Sequence, residues 1–268
     1  MKKLVLRCFP FLYKWRVQQL ILKRHIINFN PKIVYARERQ TNLIGNICKR
    51  HKSVLRRVLQ NSDPILQENK IKNLNLALGH LDGIVINPGE TFSFWRLVGK
   101  TTRAKGYIDG LMLSNGEVRT GPGGGLCQLA NMLFWLALHT PLEIKERHHH
   151  SFDLFPDDRR VIPFGTGTSI FYNYIDLQFY NPTSCKFQFH LFLSDDFLEG
   201  SIQCSDDLEF IYKIEERNHQ FYEKEGRWYR TNEIWRLELS KEDHTVVHER
   251  LIMVNNSEVK YMKPGVSM

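Results

Sequence analysis

The chain lacks paired cysteines. Its five, Cys8, Cys48, Cys127, Cys185 and Cys204, are odd in number and contain no Cys-x-x-Cys spacing. That argues against structural zinc and against a disulfide framework, and for free thiols in a reducing compartment. No apolar run is long enough to cross a bilayer. Met1-Lys2-Lys3-Leu4-Val5-Leu6-Arg7 begins like a secretory signal, but Arg7, Lys14 and Arg16 break the apolar region and no small-residue cleavage site follows. The expectation is therefore a cytoplasmic protein. Internal repeats and low-complexity runs are also missing.

Acid is nearly absent from residues 1–60, which hold 15 Lys and Arg against one acid, Glu38. The remainder carries 22 basic and 28 acidic residues. A basic front on a mildly acidic body should meet something anionic: a membrane surface, nucleic acid, or the body of its own chain. No helix-turn-helix, zinc or aromatic-platform motif accompanies the charge, which disfavours nucleic acid. The membrane alternative is a peripheral contact, through residues 1–60, with the inner face of an anionic membrane.

What is present is ample core material, 42% hydrophobic and 12% aromatic residues. That suffices for one large domain, or a main domain with an appendage. Residues 1–60 read as mostly helical and basic. Phe11, Trp15, Leu22 and Ile26 form a helical stripe with Gln18 as a polar gap, and Arg16, Lys23 and Arg24 lie off it. Such a helix either lies in a membrane interface or packs on the domain. Asp63-Pro64 is a helix start, with Asp63 as cap and Pro64 in the first turn. A helix then runs from Ile65 to Leu81. Ile84-Val85-Ile86, Thr91 to Trp95 and Gly110 to Arg119 read as strands, with Asn115-Gly116 as a hairpin turn. Glu143 to Ser151, Thr168 to Tyr180 and Cys185 to Leu193 have β-rich patterns. The predicted class is α+β: a helical basic N-terminus and a mainly antiparallel sheet, with a central helix preceded by a Gly-rich loop. The predicted organisation is a basic segment over 1–60, a core domain over 61–204 and a hairpin-rich extension over 205–268.

The chemistry concentrates at Gly121-Pro122-Gly123-Gly124-Gly125-Leu126-Cys127-Gln128, followed by an apolar run of helical spacing. Cys127 then sits at a helix start, where the partial positive charge favours a thiolate. In one reading Cys127 is a nucleophile attacking an acyl carbon. His150, or His148, is its base and then its acid. Asp176 orients the imidazole, and Gln128 or loop N–H groups hold the oxyanion. Cysteine, histidine, then acid is the order used by transglutaminase-like cysteine hydrolases. In the other reading Cys127 is a packing residue. Gly123, Gly124, Gly125, Arg147 and Ser151 then bind an anionic ligand without catalysis. The loop lacks the Lys-Ser/Thr of a P-loop, so ATP hydrolysis is not expected. Metal binding by Cys127, His148 and His150 ranks below the triad, and no cofactor is expected. Asp176, in an apolar strand, needs a partner in either reading.

Several separated motifs occur in one order: Asn87-Pro88-Gly89-Glu90-Thr91-Phe92-Ser93-Phe94, Val98-Gly99, Gly106-Tyr107, the glycine loop with Cys127-Gln128, Glu146-Arg147-His148, His150-Ser151 and Tyr174-Ile175-Asp176-Leu177. Together they resemble the VanW family over residues 70–185, and Pro163-Phe164-Gly165-Thr166-Gly167 is similar to a short branch of it. The resemblance implies association with glycopeptide (vancomycin) resistance or cell-envelope metabolism. It supplies no reaction.

Overall fold

The computed structural model describes residues 10–56, 63–114, 117–149, 152–153 and 161–261. Helix α1 (Pro10–Asn28) leads into strands β1 (Val34–Tyr35) and β2 (Asn46–Val54). Helix α2 (Ile65–Leu81), strands β3 (Val85–Ile86) and β4 (Glu90–Ser93) and the short helix α3 (Phe94–Val98) follow. The ribbon β5 (Asp109–Ser114) and β6 (Glu117–Pro122) precedes helix α4 (Cys127–Leu138). Strands β7 (Glu143–Glu146), β8 (Phe152–Asp153), β9 (Gln178–Tyr180), β10 (Phe187–Leu193) and β11 (Phe197–Cys204) come next. Three long strands, β12 (Ile211–Lys224), β13 (Arg227–Leu239) and β14 (Val246–Val259), end the described chain.

The sheets have the orders β1-β4-β9-β7, β2-β11-β10-β3 and β12-β13-β14-β8, with β5-β6 as a separate ribbon. Only β1–β4 and β8–β14 pair in parallel among the described strands. The fold is α+β and mainly antiparallel, as the sequence predicts. No described helix is long and apolar enough to cross a membrane.

Helix α4 is the hub. Leu129, Ala130 and every residue from Met132 to Leu138 are buried, so the helix is enclosed except at the half-buried Cys127, Gln128 and Asn131 of its N-terminal half. Each such Leu or Phe contributes about 1.5–3 kcal/mol of burial. Gly200 on β11 allows close approach: a Cβ there would stand 3.2 Å from Leu136 Cδ1 and from Met132 Cγ. Phe92 of β4 stacks on Phe179 of β9 at 5.4 Å and tilts onto Phe189 of β10 at 5.7 Å, joining two sheets through one core.

Helix α2 starts as predicted. Asp63 Oδ1 accepts from the Ile65 N–H at 2.9 Å, and Pro64 already has helical angles. The paired strands of the β5–β6 ribbon are also as predicted, while the Asn115-Gly116 turn lies outside the described residues.

Two readings need correction. Residues 46–54 are a strand, β2, and not part of a helical segment. The run Lys49-Arg50-His51-Lys52-Ser53 alternates between half-buried and exposed positions. It pairs with β11 at the sheet edge, where outward Lys and Arg discourage further strand pairing. Phe94 and Trp95 are helical rather than extended. Ser93 caps α3, its Oγ accepting from the Arg96 N–H at 3.3 Å.

Candidate functional site

The glycine loop packs against its own protein. Gly123 and Gly125 have φ of +81° and +94°, which glycine adopts without steric cost. A Cβ on Gly124 would stand 2.0 Å from the Gly110 carbonyl oxygen, so two backbones touch there. The Gly123 and Gly124 N–H groups already donate to the Ile108 and Gly121 carbonyls, at 3.2 and 3.0 Å. Those two are unavailable to an anion, contrary to the cradle expected from sequence. Buried Asn73 ties the arrangement together. Its Nδ2 donates to the Ile108 and Gly124 carbonyls at 2.9 and 3.0 Å, and its Oδ1 accepts from the Ile108 N–H at 3.0 Å.

Cys127 does open α4. Burial pushes its thiol up, against the N–H groups of Ile170 and of Cys127 itself. At this partly buried cysteine, desolvation therefore works against the thiolate that the helix terminus favours. Gln128 Nε2 donates to Ser53 Oγ at 3.0 Å and to the Val54 carbonyl at 2.9 Å. Both amide protons are engaged on β2 rather than held for an oxyanion.

Asp176 is 1% exposed and accepts four hydrogen bonds. Oδ1 takes the Trp95 and Leu177 N–H groups at 3.0 and 2.9 Å. Oδ2 takes Ser93 Oγ at 2.5 Å and Gln178 Nε2 at 2.9 Å. Burial raises its pKa in spite of these donors. The partner demanded by burial is the start of α3, and no described histidine bonds to it. His148 Nε2 lies 3.0 Å from Glu146 Oε1 instead. His150 and Ser151 lie outside the described residues. The described residues contain no cluster of His, Cys, Asp and Glu fit for a metal.

Arg147 follows β7 and leads to a different place. Its guanidinium sits 5.0 Å from the centre of the Phe134 ring. It donates to the Gly165 and Gly167 carbonyls and to Met253 Sδ, and its Nε has no partner. The Pro163-Phe164-Gly165-Thr166-Gly167 run therefore supplies backbone acceptors for Arg147. No carboxylate among the described residues pairs with it, and burial lowers its pKa to about 10.

Beside Arg147 lies a cavity of about 530 Å³ between β7, β13 and β14, within the usual range for small-molecule sites. Arg236 lines it, 6% exposed. Its Nη1 donates to the Thr140 and Leu142 carbonyls at 2.7 and 3.3 Å, while its Nε is unpartnered. Burial lowers this pKa also. Arg250, on the same wall, faces Arg236 directly across the β13–β14 register. The wall's two glutamates have hydrogen-bonding partners of their own, although Glu143 also acts on Arg236 through its charge. Glu143 takes Lys145 Nζ at 2.6 Å, and Glu146 takes Arg24 at 2.6 Å together with His148 and the Asp176 N–H. Burial pushes the Glu146 carboxyl up, but those donors outweigh it and leave it below its ordinary range.

Sequence reasoning singled out Arg147 but not Arg236 and Arg250, which line the same cavity. One signal was available. Arg236 sits between Trp235 and Leu237 on a strand with apolar alternation, so its face needed cover too.

The fold and cavity define an α+β protein with three arginines, none in a salt bridge among the described residues, around a ligand-sized space. The chain belongs to the VanW family. The family model "VanW like protein" matches residues 69–203. The chain is 36% identical over 202 residues to the vancomycin B-type resistance protein VanW of Enterococcus faecalis, covering 75% of this chain and 74% of that one. It is 37% identical over 84 residues to the uncharacterized protein YoaR of Bacillus subtilis, covering 31% of this chain and 28% of that one. No solved structure matches.

Proposed function

We propose that the protein acts in glycopeptide resistance or cell-envelope metabolism by binding an anionic cell-wall precursor in the cavity of Arg147, Arg236 and Arg250. The observation that carries this is the buried Arg236, with an unpartnered Nε, facing a second arginine across the sheet. Like charges directly opposite each other destabilise a strand pair, and an anionic ligand relieves that repulsion. Arginine forks suit phosphate and carboxylate groups. A cysteine-dependent acyl transfer or amide hydrolysis has less support, because burial favours the protonated Cys127 thiol and Gln128 is committed to β2.

The test is titration calorimetry with a nucleotide-linked peptidoglycan precursor. Arg250→Glu and Arg236→Met should each weaken binding about tenfold or more, while Cys127→Ala leaves it unchanged. Iodoacetamide should reach Cys127 only on unfolding. Equal affinity in the wild type and both arginine variants, or rapid native labelling of Cys127 with a midpoint below that of a free thiol, would overturn the reading.

A further inference from the structure

Helix α1 carries apolar residues on two sides. One side docks. Val17, Ile21, Arg24 and Asn28 are half-buried, and the helix is fastened through its C-terminal half. Arg24 pairs with Glu146 at 2.6 Å. Asn28 Nδ2 donates to Asn173 Oδ1 at 3.4 Å, and the Asn28 carbonyl accepts from Arg96 at 3.2 Å.

The opposite side faces out. Trp15, Leu22, Ile26 and, just beyond the helix, Phe29 are 61–84% exposed. Their spacing places them on a single stripe at helical period, begun by the exposed Phe11. This is the stripe visible in the sequence, and it is not the face the helix uses to pack. Exposed Lys14, Arg16 and Lys23 flank it. The first acid in the whole chain is Glu38.

The geometry points to α1 as an interfacial helix that seats the protein on an anionic lipid bilayer. The 19-residue helix is about 28 Å long. With one side fastened to the protein, it presents the other lengthwise to a plane. Tryptophan and phenylalanine on the apolar stripe with lysine and arginine at its margins is the pattern of a helix in the headgroup boundary. The charge decides between occupants. A second copy would set basic margins against basic margins, whereas anionic headgroups neutralise them. This inference rests on α1 alone and is independent of what the cavity binds.

The experiment is co-sedimentation of the full chain with vesicles of phosphatidylglycerol and phosphatidylcholine, against vesicles of phosphatidylcholine alone. Binding should be at least tenfold stronger on the anionic vesicles and should fall as salt rises. Brominated acyl chains should quench the fluorescence, and Trp15→Phe should remove that quenching, since Trp15 is the exposed tryptophan among the described residues. Leu22→Glu and Ile26→Glu, both remote from the docked side, should cut partitioning at least tenfold with the melting temperature unchanged. Equal partitioning of these variants and the wild type would overturn the inference. So would equal binding to neutral and anionic vesicles, or concentration-dependent self-association without lipid binding.

Discussion

Gly124 shows how residue identity and residue purpose separate. The sequence makes plain that this loop needs close backbone approach, turns closed to other residues, or both. What approaches is Gly110, from a ribbon folded back by long-range contacts. Gly124→Ala should therefore destabilise the protein by about 3 kcal/mol or more, as overpacking against backbone with no room to relax. Urea denaturation checks this, and a loss under 1 kcal/mol would show that the ribbon can move away. The same separation applies to Asp176. Its need for a partner was legible from its apolar strand. Its actual partners, Ser93, Gln178 and two N–H groups at the start of α3, depend on the β4–β9 pairing. Arg236 opposite Arg250 was not legible at all, because register across two long strands with bulges is set by the whole sheet.

Among elements, helices α2 and α4 were readable because their signals are local: a cap, a proline and an apolar period. Strand β2 was misread because its charges dominate its composition, while its place is set by β11, about 150 residues away in sequence. Helix α1 was readable as a helix, but which side would dock was not. That choice is made by Arg24 finding Glu146, which sits in the cavity wall next to Arg147. Both side chains of this pair are 15% exposed. Arg24→Ala leaves Glu146 less well compensated and should cost about 1–3 kcal/mol of stability. The freed carboxylate is also a rival for the cavity's arginines, so anionic-ligand affinity should fall although Arg24 lies outside the cavity wall. Calorimetry on the variant measures both effects. An unchanged affinity would separate helix docking from the cavity.

For the molecule as a whole, acid stability should turn on His139. It is 6% exposed at the end of α4, with Nδ1 2.8 Å from the Trp135 carbonyl. Burial holds its pKa down at about 4, against an ordinary 6.5. The neutral form is the one that folds well. Its stabilisation is complete above pH 6.5, falls as pH drops below that, and is gone below about pH 4. The loss across that window is about 3 kcal/mol. Urea midpoints from pH 7 to 4 should show it, and His139→Gln should flatten the profile. Equal slopes in the two proteins would place the acid sensitivity elsewhere.

The two arginines facing each other on β13 and β14 bear on what the resting condition of this protein is. Arg236 is buried and Arg250 exposed, and their mutual repulsion acts against the attraction of Glu238 and Glu143 for Arg236. On the proposed function, an anion seated beside Arg236 and Arg250 offsets that repulsion, so the protein should be more stable with the anion than without it. Its stability is then partly a property of the medium, greater among phosphate or carboxylate solutes than in their absence. A melting temperature recorded in one buffer describes the protein together with its surrounding anions.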